Sequence, residues 1–277
     1  MKIFMSGKRK KKRVLFLFAT VICAFLLLVF LIFPPSSKVN IPQQTPAKKI
    51  IPDHELLYAA SAGDTVKCAY FLGQGAKINA RDKAGRTALM RASLRGHNDT
   101  VKFLLQSGAD VEAEDSVRNR AIMLAASAGK LEVVRTLLRF GAYIHAGHRD
   151  NRTPLLLACR GGYSEVAAFL LDNGASLLDG YTSHCGPVVS ALKNNHPETA
   201  RMLLLAGSSV VEYDEKGNSV LQLAIMTGSE SLVKYLLENY LLDIEHRNNA
   251  GESARDHALQ TGNRAIIELL KHYNDKK

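Results

Sequence analysis

Apolar and small residues recur along most of the chain at a fixed interval, and this pattern predicts a stack of similar helix pairs. Large apolar pairs stand 33 residues apart, as Leu104-Leu105 and Leu137-Leu138 do. Glycines keep the same interval, at Gly75, Gly108, Gly141, Gly174 and Gly207. Alanines run in phase with both series from Ala59 to Ala224. A period in the thirties indicates repeats that bury their apolar faces only against one another.

Residues 82–114 show what one repeat is expected to form. Thr87 precedes a short apolar run, residues 88–94, and is predicted to cap the N-terminus of a helix. That run stops at Gly96, which suits a left-handed helix end. A second run at helical spacing stops at Gly108. The predicted unit is therefore a short helix, a loop, a longer helix, and a turn or hairpin that leads to the next unit.

These residues resemble the ankyrin repeat family. The segment Thr-Pro-Leu-Leu-Leu-Ala at 153–158 is similar to that family's T-P-L-H-x-A signature, and residues 96–111 resemble its second helix and turn. The resemblance covers about residues 52–273 and implies an all-α ankyrin-repeat solenoid of seven units. We place these units at 53–81, 82–114, 115–147, 148–180, 181–213, 214–247 and 248–273.

This sequence departs from the family's pattern at the signature histidine. The position is filled by Met90, Met123, Leu156, Val189, Gln222 and Asp256. Since a histidine there usually forms hydrogen bonds between units, those bonds are not expected in their usual form.

The two ends and one turn are expected to differ from the middle of the stack. The first unit begins at Asp53 with no hairpin before it. The last unit places polar residues among its apolar positions, which predicts a polar outer face that caps the stack; these are Arg255, Asp256, His257, Glu268 and Lys271. One extra residue is inserted near 240–242, so a distorted turn is expected there.

The N-terminal region predicts a membrane anchor. Residues 14–33 are twenty uncharged residues, enough for a helix to cross a bilayer. Seven basic residues within 1–13 favour a cytoplasmic N-terminus. A cleaved signal peptide is disfavoured because the apolar run is long and lacks a small-residue cleavage site. Residues 34–52 are rich in proline and read as an extended tether.

This topology places the repeats outside the cytoplasm. Ankyrin repeats of eukaryotes are mainly cytosolic, so the resemblance favours a bacterial inner-membrane protein with periplasmic repeats. An inverted topology, with cytoplasmic repeats that act as a membrane-localised adaptor, stays open.

The charge distribution argues against nucleic-acid binding. The net charge is +10, of which residues 1–13 supply +7 and Lys38, Lys48 and Lys49 supply +3. The repeats therefore carry 26 basic and 26 acidic residues. A high overall pI with neutral repeats does not indicate a fold that binds nucleic acid.

We find no pattern typical of an enzyme, and no cofactor or small-molecule substrate is expected. Cys68 and Cys159 fall at core positions of their units and are predicted to be small buried hydrophobic residues. One cluster in neighbouring turns is a weak candidate for metal binding, and it motivates an alternative role in metal or redox stress; it comprises His145, His148, His184 and Cys185.

The resemblance implies that a protein partner meets the turn tips and the exposed side of the first helices. The candidate residues are Lys83, Arg86, Leu94, Arg95, Arg149, Arg152, Arg160 and Lys193. Because arginine suits bidentate contact with carboxylates, we expect a partner with an acidic surface. The alternative is a solvated face whose arginines pair with neighbouring acids such as Asp82 and Glu114. The predicted function is non-enzymatic binding that inhibits or protects an envelope protein.

Overall fold

A computed structural model describes residues 52–147, 152–178 and 186–274 of the 277-residue chain. The predicted basic N-terminus at 1–13, the anchor at 14–33 and the tether up to residue 51 lie outside the described residues. Within the described ranges, no helix combines the length and the apolar character needed to cross a membrane.

Fourteen helices in the described residues follow one another in pairs. The first helices of the pairs are α1 Pro52–Ala62, α3 Ala88–Arg95, α5 Ala121–Ser127, α7 Pro154–Arg160, α9 Pro187–Lys193, α11 Val220–Met226 and α13 Ala254–Thr261. The second helices are α2 Thr65–Gly73, α4 Asn98–Gln106, α6 Leu131–Arg139, α8 Ser164–Asp172, α10 Pro197–Leu205, α12 Glu230–Asn239 and α14 Arg264–Asn274. Each first helix packs against the next first helix, and each second helix against the next second helix. The predicted all-α solenoid is confirmed.

Turns rather than hairpins join the pairs in the part of the chain that the structure describes. That part contains no β-strand, and Tyr213 and Ser219 form an isolated antiparallel bridge. The helix ends follow the predicted chemistry. The Thr87 side chain accepts a hydrogen bond from the Met90 N–H at 3.3 Å, and Gly96 ends α3 in the left-handed conformation with φ 85°.

The core lies between the two helix layers and is continuous along the stack. The alanine series of the first helices is almost completely buried, which lets those helices approach closely; it comprises Ala59, Ala92, Ala125, Ala158, Ala191 and Ala224. In the second helices from α4 to α12, the first member of each leucine pair is fully buried, as Leu104 and Leu170 are. The second member is buried in some pairs, such as Leu204, and packs at the edge of this core in others, such as Leu138.

Other side chains form the hydrogen bonds between pairs that the missing signature histidines would make. Gln222 is fully buried, and its Nε2 donates to the carbonyl oxygens of Glu252 at 2.7 Å and His246 at 3.3 Å. Near the starts of the second helices, hydroxyl groups link neighbouring pairs. Thr100 Oγ1 lies 2.9 Å from Thr65 Oγ1. The stack is therefore joined by polar contacts in both layers.

The expected distortion near 240–242 has a local cause. Gly108, Gly141, Gly174 and Gly207 adopt positive φ after their helices. Tyr240 occupies the equivalent position and is extended, with φ −131° and ψ 145°. A residue with a Cβ disfavours the left-handed conformation, so the chain leaves α12 in another direction. Leu241 consequently lies 94% exposed.

The C-terminal pair caps the stack, with one correction to the prediction. Arg255, Glu268 and Lys271 are exposed, as a polar cap requires. His257 is only 5% exposed and does not belong to the outer face. Its Nε2 lies 3.4 Å from Asn248 Nδ2, so it contributes to the packing of the last turn instead.

Candidate protein-binding surface

The structure places the described candidate residues in the first-helix layer and in the turns before it. Lys83 and Arg86 belong to the turn between α2 and α3, and Arg152 lies just before α7. The last turns of first helices carry the others, namely Leu94, Arg95, Arg160 and Lys193. Arg149 lies outside the described residues. We call the described members of this set the inner basic surface.

Several cations in this layer already have acidic partners. Arg86 Nε lies 3.1 Å from Asp82 Oδ2, and Lys193 forms an ion pair with Glu215. In the turn between α4 and α5, Arg118 and Arg120 both pair with Glu114. The alternative of a solvated, internally paired face therefore describes this part of the surface.

Four members of the inner basic surface have a different environment. No described acidic residue lies within ion-pair distance of Lys83, Arg95, Arg152 or Arg160. Lys83, Arg95 and Arg160 are exposed, whereas Arg152 is half-buried. These cations carry charge that no described acidic side chain neutralises through an ion pair.

The sequence prediction missed Arg91, which joins Arg86 at one carboxylate. Asp82 Oδ2 accepts from Nε of Arg86 and of Arg91, each at 3.1 Å. Burial acts to raise the pKa of Asp82, but the backbone donors of Arg86 and Ala84 and the Arg91 guanidinium hold it below its usual value. Asp82 therefore stays ionised between two arginines.

A comparison of equivalent positions along the repeats would have singled out Arg91. In later pairs its position holds Leu124, Leu157, Ser190 and Leu223. The position of Arg86 holds Asn119 and Asn218, whose side chains donate to Asp115 and Asp214 at 3.0 and 2.9 Å. An asparagine thus satisfies the turn carboxylate elsewhere, so the turn does not require two arginines.

These arginines line a cleft of about 580 Å³ between the start of α1 and the first turn. The cleft is lined by Asp53, His54, Leu57, Arg81, Asp82, Lys83, Ala84, Arg86 and Arg91. Its lining includes four basic side chains and only two carboxylates, so the cleft carries an excess of positive charge.

Of the candidate metal ligands, only His145 lies within the described residues. His145 is half-buried, with its ring centroid 5.4 Å from that of Tyr143. His148, His184 and Cys185 lie outside the described residues. Within the described residues, no group of three or more histidine, cysteine or acidic side chains is placed to hold a metal ion.

The two described cysteines are buried, as predicted. Burial raises the pKa of the Cys68 thiol to about 11 and raises the pKa of Cys159 further. A thiol that stays protonated and inaccessible is a poor nucleophile and a poor metal ligand. Cys68 and Cys159 therefore act as small core residues.

Comparison with known proteins agrees with this architecture. A sequence model described as ankyrin repeats (3 copies) matches residues 52–115, 114–180 and 188–277. The chain belongs to the ankyrin repeat family. The solved human ASB11 ankyrin repeat domain is similar in fold, with a TM-score of 0.66 and 24% identity, over 77% of this chain and 96% of that one. A search of curated proteins gave no match. The repeats therefore form a protein–protein interaction module.

Proposed function

We propose that this ankyrin repeat protein is a non-enzymatic binding module at a bacterial inner membrane. Residues 14–33 anchor it, the repeats lie in the periplasm, and they inhibit or protect an envelope protein that presents an acidic surface. One observation carries the choice of partner. Four cations in the first-helix layer and its turns have no acidic partner among the described residues, namely Lys83, Arg95, Arg152 and Arg160.

The charge pattern supports an acidic partner better than a nucleic acid or a lipid surface. The repeats carry equal numbers of basic and acidic residues, so cations that pair with no described acid form a local excess on a neutral domain. Such a patch attracts a complementary protein surface and speeds association at low salt. Nucleic acid or membrane binding usually relies on a larger net positive charge.

The first experiment tests the partner surface. The full-length protein with Arg152→Glu and Arg160→Glu is used to capture proteins from the native envelope after chemical cross-linking. We expect loss of the partner that the unchanged protein captures, without a lower melting temperature, since neither side chain belongs to the apolar core.

The matched control reverses two cations of the second-helix layer. Lys102→Glu and Lys234→Glu suit this purpose because both side chains are about half exposed or more. Arg201 is unsuitable because its guanidinium lies 5.5 Å from the centroid of the Tyr235 ring. If the control loses the partner and the Arg152 and Arg160 variant retains it, the partner binds the second-helix layer and the proposal is wrong.

The second experiment tests the topology. Alkaline phosphatase, which is active outside the cytoplasm, and a cytoplasmic fluorescent protein are each fused after Lys277. We expect phosphatase activity and no fluorescence. Fluorescence without phosphatase activity would place the repeats in the cytoplasm and support the membrane-localised adaptor instead.

The third experiment tests the absence of catalysis. The periodic residues are used in helix caps and packing, and the inner basic surface holds no nucleophile paired with a base. We expect no turnover in a broad hydrolase and oxidoreductase screen. Turnover that disappears on one surface substitution would contradict a purely binding role.

A further inference from the structure

In the described residues, hydrogen bonds between the same positions connect two pairs of successive turns, one near each end of the stack. The Ser116 N–H donates to the carbonyl oxygen of Ala84 at 3.0 Å. At the other end, the Asn249 N–H donates to the carbonyl oxygen of Lys216 at 2.9 Å. Both donors hold the same position within their turns and donate to the turn before, so the two bonds follow one pattern. We call this series the turn ladder.

The turn between α2 and α3 stands at the start of the turn ladder, and one of its backbone N–H groups has no acceptor among the described residues. Lys83 holds the position of Ser116 and Asn249, yet its N–H has no acceptor among the described residues. The turn itself is closed, because the Gly85 N–H donates to the Asp82 carbonyl oxygen at 2.9 Å. Lys83 also lines the 580 Å³ cleft. The cleft therefore lies where a preceding turn would pack.

The arginines of this cleft keep hydrogen-bonding capacity. Arg86 and Arg91 contact Asp82 through Nε, which leaves their terminal nitrogens for other acceptors. Arg91 Nη1 makes one long contact, at 3.5 Å, with the Leu57 carbonyl oxygen. A carboxylate that enters the cleft would meet two guanidinium groups already held in place by Asp82.

The charge of the chain indicates that the occupant comes from another molecule. Residues 1–51 contain no aspartate or glutamate. The charged residues of 34–51 are Lys38, Lys48 and Lys49, all basic. A carboxylate ligand for the cleft therefore does not come from residues 1–51, and we assign it to the partner protein.

We propose that the cleft binds an acidic turn of the partner protein and so extends the turn ladder by one turn. A main-chain carbonyl of that turn accepts the Lys83 N–H, and a carboxylate side chain binds Arg86 and Arg91. This inference rests on the proposed function and specifies where on the inner basic surface the acidic partner is held. It resembles strand addition, in which a partner's main chain satisfies an exposed edge.

The test uses the full-length protein and a fluorescein-labelled peptide of alternating glutamate, aspartate and glycine. Fluorescence anisotropy gives its affinity, beside a peptide with glutamine and asparagine in place of the acids. Arg86→Asn with Arg91→Leu introduces the residues that later repeats use at these positions, so the turn is expected to fold. We expect about tenfold or greater loss of affinity for the acidic peptide, and no binding of the amide peptide.

Two substitutions at Lys83 separate its charge from its N–H. Lys83→Ala removes the ammonium group alone, whereas Lys83→Pro also removes the N–H. Proline suits this position because Lys83 is the second residue of a β-turn. We expect Lys83→Pro to bind the acidic peptide more weakly than Lys83→Ala, at equal melting temperatures. Lys102→Glu with Lys234→Glu serves as the control and should leave the affinity unchanged.

Each remaining result has a definite meaning. The inference is overturned if the acidic peptide does not bind, or if Arg86→Asn with Arg91→Leu binds it normally. It is also overturned if inorganic phosphate, at the same total concentration of negative charge, displaces the labelled peptide as well as unlabelled acidic peptide does. Equal binding by the two Lys83 variants overturns the extension of the turn ladder. If those variants still capture the native partner while reversal of Arg152 and Arg160 abolishes capture, this inference fails and the proposed function stands.

Discussion

Glu212 caps a helix to which it does not belong, because its Oε2 accepts the backbone N–H of Val189 at 3.2 Å. In four other pairs, a side chain directly before the first helix accepts the same N–H; these are Thr87, Thr153, Ser219 and Ser253. Helix α9 instead follows Gly186. A Cβ at Gly186 would lie 2.2 Å from Glu212 Oε2, so the carboxylate occupies the place of a capping side chain.

The first prediction concerns the stability of this arrangement against pH. Burial raises the pKa of Glu212 to about 7, from 4.5 for an exposed glutamate. Between these values the folded protein binds more protons than the unfolded chain, so stability falls as pH rises from about 4.5 to about 7. Across this pH range the free energy of unfolding falls by about 3 kcal/mol. We expect Glu212→Gln, which keeps an acceptor for Val189 but no charge, to be the more stable protein at pH 8.

Chemical denaturation of both proteins at pH 5 and pH 8 measures this difference, and other titrating groups cancel in the comparison. The advantage of Glu212→Gln should shrink markedly at pH 5. Glu198→Gln, an exposed change in α10, provides the control and should show no such dependence. An equal effect of Glu212→Gln at both pH values would mean that Glu212 does not change its charge between pH 5 and pH 8.

The second prediction tests the assignment of core and surface positions. Leu170→Ala removes a fully buried side chain between second helices and should cost about 2–5 kcal/mol of unfolding free energy. Leu94→Ala should cost much less because Leu94 is half-buried at the end of α3. Urea melts of the two variants provide the comparison. Equal losses would show that the inner basic surface includes a core position.

The repeat architecture could be predicted from the sequence because each unit repeats the same kinds of helix cap, helix end and core residue. Thr87 as a cap, Gly96 as a left-handed helix end and Leu170 as a core residue each follow from a local pattern at a fixed interval. Such signals reinforce one another across repeats. Even the distorted turn at 240–242 was detectable, since an extra residue breaks the interval.

The contacts of the candidate surface could not be predicted in the same way. The pairing of Lys193 with Glu215 and the shared carboxylate of Asp82 depend on side-chain directions, and a regular spacing does not determine these. Glu212 reaches a helix that begins 25 residues earlier in the chain, at Pro187. The glycine before that helix was the available signal, because it lacks the side-chain oxygen that a cap needs.

The third prediction concerns the hydrogen bonds that replace the signature histidine. Gln222→Met keeps a similar volume but leaves the carbonyl oxygens of His246 and Glu252 without this donor. We expect a loss of about 1–3 kcal/mol of unfolding free energy, the usual cost of unpaired buried polar groups. Met123→Leu, at the equivalent position of an earlier repeat, is the control and should be nearly neutral, since Met123 is buried and takes no part in a helix cap. A similar cost for both would mean that packing, and not hydrogen bonding, explains the role of Gln222.

The last prediction concerns how the distorted turn is held. The Leu242 N–H donates to the Tyr273 hydroxyl oxygen at 3.1 Å, and the hydroxyl donates to the Tyr240 carbonyl oxygen at 3.4 Å. Tyr273→Phe removes both contacts while it keeps the aromatic ring in place. Because the chain here lacks the glycine-based helix end, we expect faster hydrogen exchange at the Leu242 amide with only a small change in melting temperature. Tyr70→Phe, where the side chain is exposed, should leave that exchange rate unchanged. An unaltered rate at Leu242 in the Tyr273 variant would show that packing of Leu242 against the core, without the hydroxyl, is enough to order the turn.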